Sequence, residues 1–180
     1  FDETLDLRGY RLLVRRLYGF YAPFDAAIEC AMAGAVPGDH GYRYAPRADL
    51  LASDMLNLGF SEDEVRSAPC CAQGSCFVSP ATLGGVLYVV EGATLGGARI
   101  DGAVRRLLGR EAPAGRHYWA WCRSVGTERW WMTMRYLEHI VLHGAAVKEL
   151  EKGARETFLM LADWLAPLDQ TGTGKPQGHA

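Results

Sequence analysis

The chain has 180 residues, an apolar fraction of 49% and a formal net charge of −2 at pH 7. Those values describe one globular domain with enough apolar side chains to bury a core, and they exclude a nucleic-acid partner that needs a broad basic surface. The longest apolar stretches are broken by Glu91, Arg99 or Asp101, so none reaches the ~20 residues of a membrane span.

In chain order, Tyr10, Leu13, Val14, Leu17, Tyr21 and Phe24 recur at helical spacing and predict a first helix over Leu7 to Ala33. Pro23 is expected to kink or split it, because the ring removes a backbone donor and clashes one turn back. Gly34 to Pro46 reads as a loop. Ala48 to Leu58 predicts a short helix stopped by Gly59, and Ser61 with Glu62, Asp63 and Glu64 opens another. Ser79 and Pro80 form an N-cap and first-turn pair for a long helix reaching about Leu108. Gly109 to Gly115 is a turn region. Two further helices are expected near Thr127 to His143 and Ala145 to Ala166. Residues 1–166 therefore read as one domain, and 167–180, rich in Gly, Thr, Pro and Gln, as a disordered tail. No strand-period segment or internal repeat is visible, so the fold class is all-α.

The long helix carries Gly84, Gly85, Gly92, Gly96 and Gly97. Each interior glycine costs roughly 1 kcal/mol relative to alanine, so such a run needs a reason. Gly85, Gly92 and Gly96 fall near one face. Two explanations fit that stripe: close packing against another helix, or a flat ligand lying against bare backbone.

Tyr88-Val89-Val90-Glu91-Gly92-Ala93-Thr94-Leu95-Gly96-Gly97 resembles the distal-helix signature of biliverdin-producing haem oxygenases, above all the bacterial members found beside bacteriophytochromes. Tyr18 to Asp25 is similar to the family's second helix. Arg47 to Gly59, with Leu50, Leu51, Asp54, Met55, Leu56 and Leu58, resembles its Leu-x-x-Asp-Leu-x-x-Leu-Gly segment. His117-Tyr118-Trp119 and the helices from Glu128 to Leu165 resemble its C-terminal half.

The resemblance implies a haem oxygenase-like bundle of about seven or eight helices. It implies oxidative cleavage of haem to biliverdin, CO and iron, with biliverdin supplied to a bacteriophytochrome. Gly92, Gly96 and Gly97 would be the distal catalytic contacts, with Tyr88, Thr94, Arg99, Arg135 and Arg11 binding haem. Arg129 and Arg15 are further basic residues of the two helices that meet the propionates in the family. The implied partners are haem, serving as substrate and cofactor, and an external electron donor such as a ferredoxin or flavin reductase. The family's iron-ligating histidine lies on its first helix. Here no histidine precedes His40, so the ligand is expected upstream of Phe1. Without it, the alternative is a degenerate module that binds a tetrapyrrole or a protein without turnover.

Other constellations are weaker. Five cysteines with no regular framework suit a reducing cytoplasm, and Cys70, Cys71 and Cys76 lack a CxxC pair. His139 and His143 have a metal-like spacing but no third ligand in view. Glu91 and Glu138 are too few acids for a di-iron site. Trp119, Trp121, Trp130 and Trp131 read as core aromatics, with either Trp130 or Trp131 left at the surface.

Overall fold

The computed structural model describes residues 5–33, 41–71, 78–109 and 111–166. Among these residues there are helices and connections but no strand, which is the expected all-α bundle. The helices are α1 (Leu7–Ala33), α2 (Ala48–Asn57), α3 (Glu62–Arg66), α4 (Leu83–Gly92), α5 (Gly97–Leu108), α6 (His117–Leu142) and α7 (Val147–Leu165). A short 3-10 turn, Ala93–Gly96, joins α4 to α5. The expected tail 167–180, most of the loop 34–46, Cys76, His40 and His179 lie outside the described residues.

α1 buries Tyr10, Leu13, Val14, Leu17, Phe20, Tyr21, Phe24 and Ile28 along one stripe, as its periodicity predicts. Pro23 does not split it. Proline has no N–H for the carbonyl of Gly19, one turn back. That carbonyl is satisfied from outside the helix, by the Cys71 N–H at 2.8 Å. The crossing segment comes so close that a Cβ on Gly19 would lie 2.1 Å from the Pro69 oxygen.

Acids on one helix cap the start of another. Asp25 of α1 accepts hydrogen bonds from the backbone N–H groups of Arg47 and Ala48, each at 2.7 Å, at the N-terminus of α2. Asp54 of α2 accepts from the N–H groups of His117 and Tyr118 at 2.6 and 2.9 Å, at the N-terminus of α6. α3 caps itself: Ser61 and Glu64 close the reciprocal box that its acidic first turn suggests. Gly59 follows α2 with a φ of 87°.

Two expectations fail at helix starts. Ser79 and Pro80 do not open α4. Ser79 and Thr82 bond each other in a turn, and α4 begins at Leu83. α6 starts at His117, ten residues before the expected Thr127, because Asp54 supplies the cap that no neighbouring residue provides. Gly126 is carried inside it. The single helix expected from Ser79 to Leu108 is also interrupted, at Ala93–Gly96.

α4 runs through the middle of the bundle, burying Leu83, Val86, Leu87 and Val90. α7 lies directly against it. A Cβ on Gly85 would stand 1.8 Å from the Leu150 carbonyl oxygen and 2.4 Å from the Ala154 nitrogen, so only glycine lets these two backbones meet. Gly85→Ala is therefore expected to destabilise the protein by about 3 kcal/mol or more, since backbone rather than a flexible side chain must move. Chemical denaturation checks this; a loss below ~1 kcal/mol would show that α7 can retreat freely.

Candidate functional site

The break between α4 and α5 is built from glycines in ordinary right-handed conformations. Gly92, Gly96 and Gly97 have φ values of −58°, −71° and −60°, so backbone strain does not require them. Their neighbours separate them. A Cβ on Gly97 would fall 2.1 Å from the Cβ of Cys122, so this glycine exists to seat α5 on α6. Gly84 is likewise crowded by Leu150, Ile140 and Leu137. On Gly92 a Cβ would meet the Trp130 ring at 3.3 Å. On Gly96 it would meet nothing nearer than Ile100 Cδ1, at 4.0 Å. The expected bare stripe of Gly85, Gly92 and Gly96 is thus corrected: α7 covers Gly85, Trp130 crowds Gly92, and Gly96 is open.

Gly96 sits in an exposed apolar surface. Tyr88, about two turns before it, and Leu95, its immediate neighbour, are 48% and 46% exposed. The Tyr88 ring meets Trp130 edge-on with centroids 5.2 Å apart. Arg99 is exposed one turn beyond Gly96. On the α4 side, an apolar groove of about 260 Å³ continues between Gly84, Gly85, Tyr88, Leu137, Leu150 and Ala154.

Of the residues singled out in the sequence, Tyr88, Gly92, Gly96 and Arg99 share this face. Gly97 and Thr94 lie beneath it. Thr94 is fully buried and its hydroxyl donates to the Glu91 carbonyl at 2.6 Å, so it is turned from the exposed side. Arg11 is not gathered with them; its guanidinium lies over the Phe60 ring at 4.5 Å. Arg135 is exposed on α6. Arg129 is engaged elsewhere, as described next.

Under the break lies a charged cluster. Glu91, in the last turn of α4, and Arg47, before α2, are both 0% exposed and paired at 2.7 Å. Tyr42 donates its hydroxyl to Glu91 Oε1 at 2.7 Å. Arg129 of α6 reaches Glu91 Oε2 through Nε at 2.9 Å, also contacts Oε1, and donates to the Arg43 carbonyl at 3.2 Å. The Arg47 guanidinium is 4.7 Å from the Tyr44 ring and 5.4 Å from Trp121. Burial alone pushes the Glu91 carboxyl up, but Arg129 and Arg47 outweigh it and hold the group below its ordinary value. Burial raises Asp25, which supports the same loop. Neither Arg47 nor Tyr42 drew attention in the sequence; a lone acid inside an apolar helix, Glu91 after Val89 and Val90, was the available sign.

The α6 backbone is pressed onto the turn from the same side. A Cβ on Gly126 would be 2.8 Å from the Thr94 carbonyl oxygen. Away from the break, His117 Nδ1 meets Asp54 Oδ1 at 2.8 Å, and His139 and His143 stack with centroids 4.1 Å apart. Cys71 is buried while Cys70 is exposed. Trp131 is the surface tryptophan of its pair, at 66% exposure. Among the described residues no group of three metal-ligating side chains converges, and no helix is long and apolar enough to cross a membrane. No protein-family model, curated protein or solved structure matches the chain.

Two outcomes follow from this geometry. Gly96→Ala should be neutral or stabilising by about 0.5–1 kcal/mol, because its φ suits alanine and the space is open. Gly97→Ala should cost roughly 1–3 kcal/mol by forcing α5 off α6. Paired urea denaturation measures both, and equal effects would contradict the assigned neighbours. Glu91→Gln should destabilise by about 3–5 kcal/mol at pH 7, leaving two guanidiniums without their counter-ion. Because the folded-state pKa of Glu91 is lowered, its contribution is present above the unfolded carboxyl value and lost as pH falls through the folded one. The gap between native and variant stability should therefore narrow below about pH 4. A gap independent of pH would exclude a charged Glu91 as its source.

Proposed function

We propose that the chain is a haem oxygenase in which the outer face of the Ala93–Gly96 break is the wall against one face of the macrocycle. The reaction is oxidative cleavage of haem to biliverdin, CO and iron, with electrons from a ferredoxin or flavin reductase and biliverdin passed to a bacteriophytochrome. The observation that carries this reading is Gly96: a helix broken at a glycine that no other part of the described residues packs against, in a surface where Tyr88 and Leu95 are exposed.

A flat apolar ring can lie there on backbone, with its rim over Tyr88 and Leu95. Burying such a ring is favourable in proportion to the apolar area covered. Arg99, at the edge of the face, supplies a cation for a propionate. Thr94, Gly97 and Gly126 act from behind the surface, holding the turn against α6.

The fit is one-sided. Among the described residues, His117 is held on Asp54, and His139 and His143 lie together at the C-terminal end of α6. With the Gly96 face as the distal wall, an axial histidine would approach from the opposite face of the ring, and the resemblance puts that residue upstream of Phe1 rather than at any of these three. That observation favours the second reading, a tetrapyrrole-binding module without turnover.

Ferric haem titration of the chain with and without added imidazole tests both. The expected result is one-to-one uptake, weak alone and tightened by imidazole with the corresponding Soret shift. Gly96→Leu should fold normally yet bind haem about tenfold or more weakly, since its side chain fills the contact surface. Biliverdin on adding reductant and oxygen supports the oxygenase; binding without biliverdin selects the module. Haem uptake by Gly96→Leu equal to that of the native chain would falsify both.

A further inference from the structure

We propose that Glu91 is the positioning residue of the break, a buried carboxylate that fixes the outer face of Ala93–Gly96 for a flat ligand. The inference rests on reading that face as a tetrapyrrole wall.

A 3-10 turn flanked and ended by glycine has little stiffness of its own. Its hydrogen bonds are poorer than those of an α-helix, and each glycine restricts the chain less than alanine does. Left alone, such a segment would sample several bends, and a ligand would have to select one of them. A wall against a rigid planar ring needs one bend. Something outside the turn must impose it.

Glu91 is placed to do so with both its backbone and its side chain. Its carbonyl takes the Thr94 hydroxyl at 2.6 Å, which ties the residue before the turn to one inside it. Its carboxylate takes Tyr42 and Arg47 from the segment leading into α2, and Arg129 from α6. One residue thus connects the turn to two separate parts of the fold. The α6 connection is close: Arg129 lies three residues beyond Gly126, whose backbone touches the Thr94 carbonyl. Removing two guanidiniums and a carboxylate from water is costly, and a well-packed apolar cluster is often at least as stable. What the ionic cluster adds is direction, because an Arg–carboxylate pair fixes angles as well as distance.

Three variants of the full chain test this, each read by amide exchange over residues 93–97 without ligand and by ferric haem affinity. Glu91→Gln should speed exchange across the turn by about tenfold or more while α1 amides stay near native rates, and should weaken haem binding by about tenfold. Arg129→Lys, which keeps the charge but not the paired geometry, should show smaller changes in the same directions. Ser61→Ala removes the self-contained cap of α3, away from the break and from α6, so it should lower the melting temperature yet leave exchange at 93–97 and haem affinity at native values. Should Glu91→Gln not fold, Thr94→Val makes the same comparison by deleting one hydroxyl, with smaller changes in the same directions. Native exchange at the turn in a folded Glu91→Gln, or equal acceleration in Ser61→Ala, overturns the inference. Native haem affinity in Glu91→Gln overturns the inference alone. A native chain that takes up no ferric haem overturns the tetrapyrrole reading and this inference with it.

Discussion

The fully buried pair of Glu91 and Arg47 is the constraint around which the bundle is arranged. Neither charge could be inside without the other, and each recruits further partners because one ion pair does not satisfy a carboxylate and a guanidinium completely. Arg47 is delivered by Asp25, which holds the backbone at the start of α2. α2 then delivers Asp54, which fixes the start of α6. α6 in turn delivers Arg129 back to Glu91. On the far side of the break, Asp101 of α5 pairs with Arg116 at the head of α6. Two acids, Asp25 and Asp54, thus set where α2 and α6 begin, and the circuit closes under the glycine-bearing turn.

Glycine has two opposite uses in this chain. At Gly85, Gly97 and Gly126 a missing side chain lets backbone approach backbone or Cβ, and the entropy lost by glycine is offset by dense packing around the site. At Gly19 the same device lets a loop repair the helix carbonyl that Pro23 leaves without a partner. The α1 helix survives its proline through a contact made with Cys71, far along the chain.

How much of this could be read in the sequence depends on how local each cause is. The extent of α1, the self-capped α3 and the glycine after α2 follow from periodicity and neighbouring residues, and the structure contains them as expected. The start of α6 does not, because its cap is 63 positions away at Asp54, out of reach of a local reading. The turn at Ala93–Gly96 was hidden in the same way: its bend is imposed by α6 and by Glu91 rather than by φ values that glycine alone could adopt. For the candidate site, helical spacing puts Gly85, Gly92 and Gly96 on one face, and Tyr88 and Arg99 enter only through the resemblance. It could not tell that Thr94 and Gly97 are covered, nor that Arg129 is held by Glu91, since spacing gives direction around a helix but not what lies opposite. Arg47 was least legible. Nothing in its immediate neighbours, Pro46 and Ala48, signals burial, and only the tertiary fold encloses it.

Glycines that pack tightly carry no functional information, because stability explains them. Gly96 is different. Alanine would suit its backbone, nothing among the described residues occupies the space its side chain would fill, and Tyr88 and Leu95 near it are exposed. Local propensity and packing both favour another residue there. A position where the local rule is broken with no structural return is where function is to be sought. Gly92, Gly97 and Gly126 would allow helices to meet whatever the protein does; no packing among the described residues explains Gly96. On the proposed reading, the exposed Tyr88, Leu95 and Arg99 around it fit a flat apolar body carrying an anionic group.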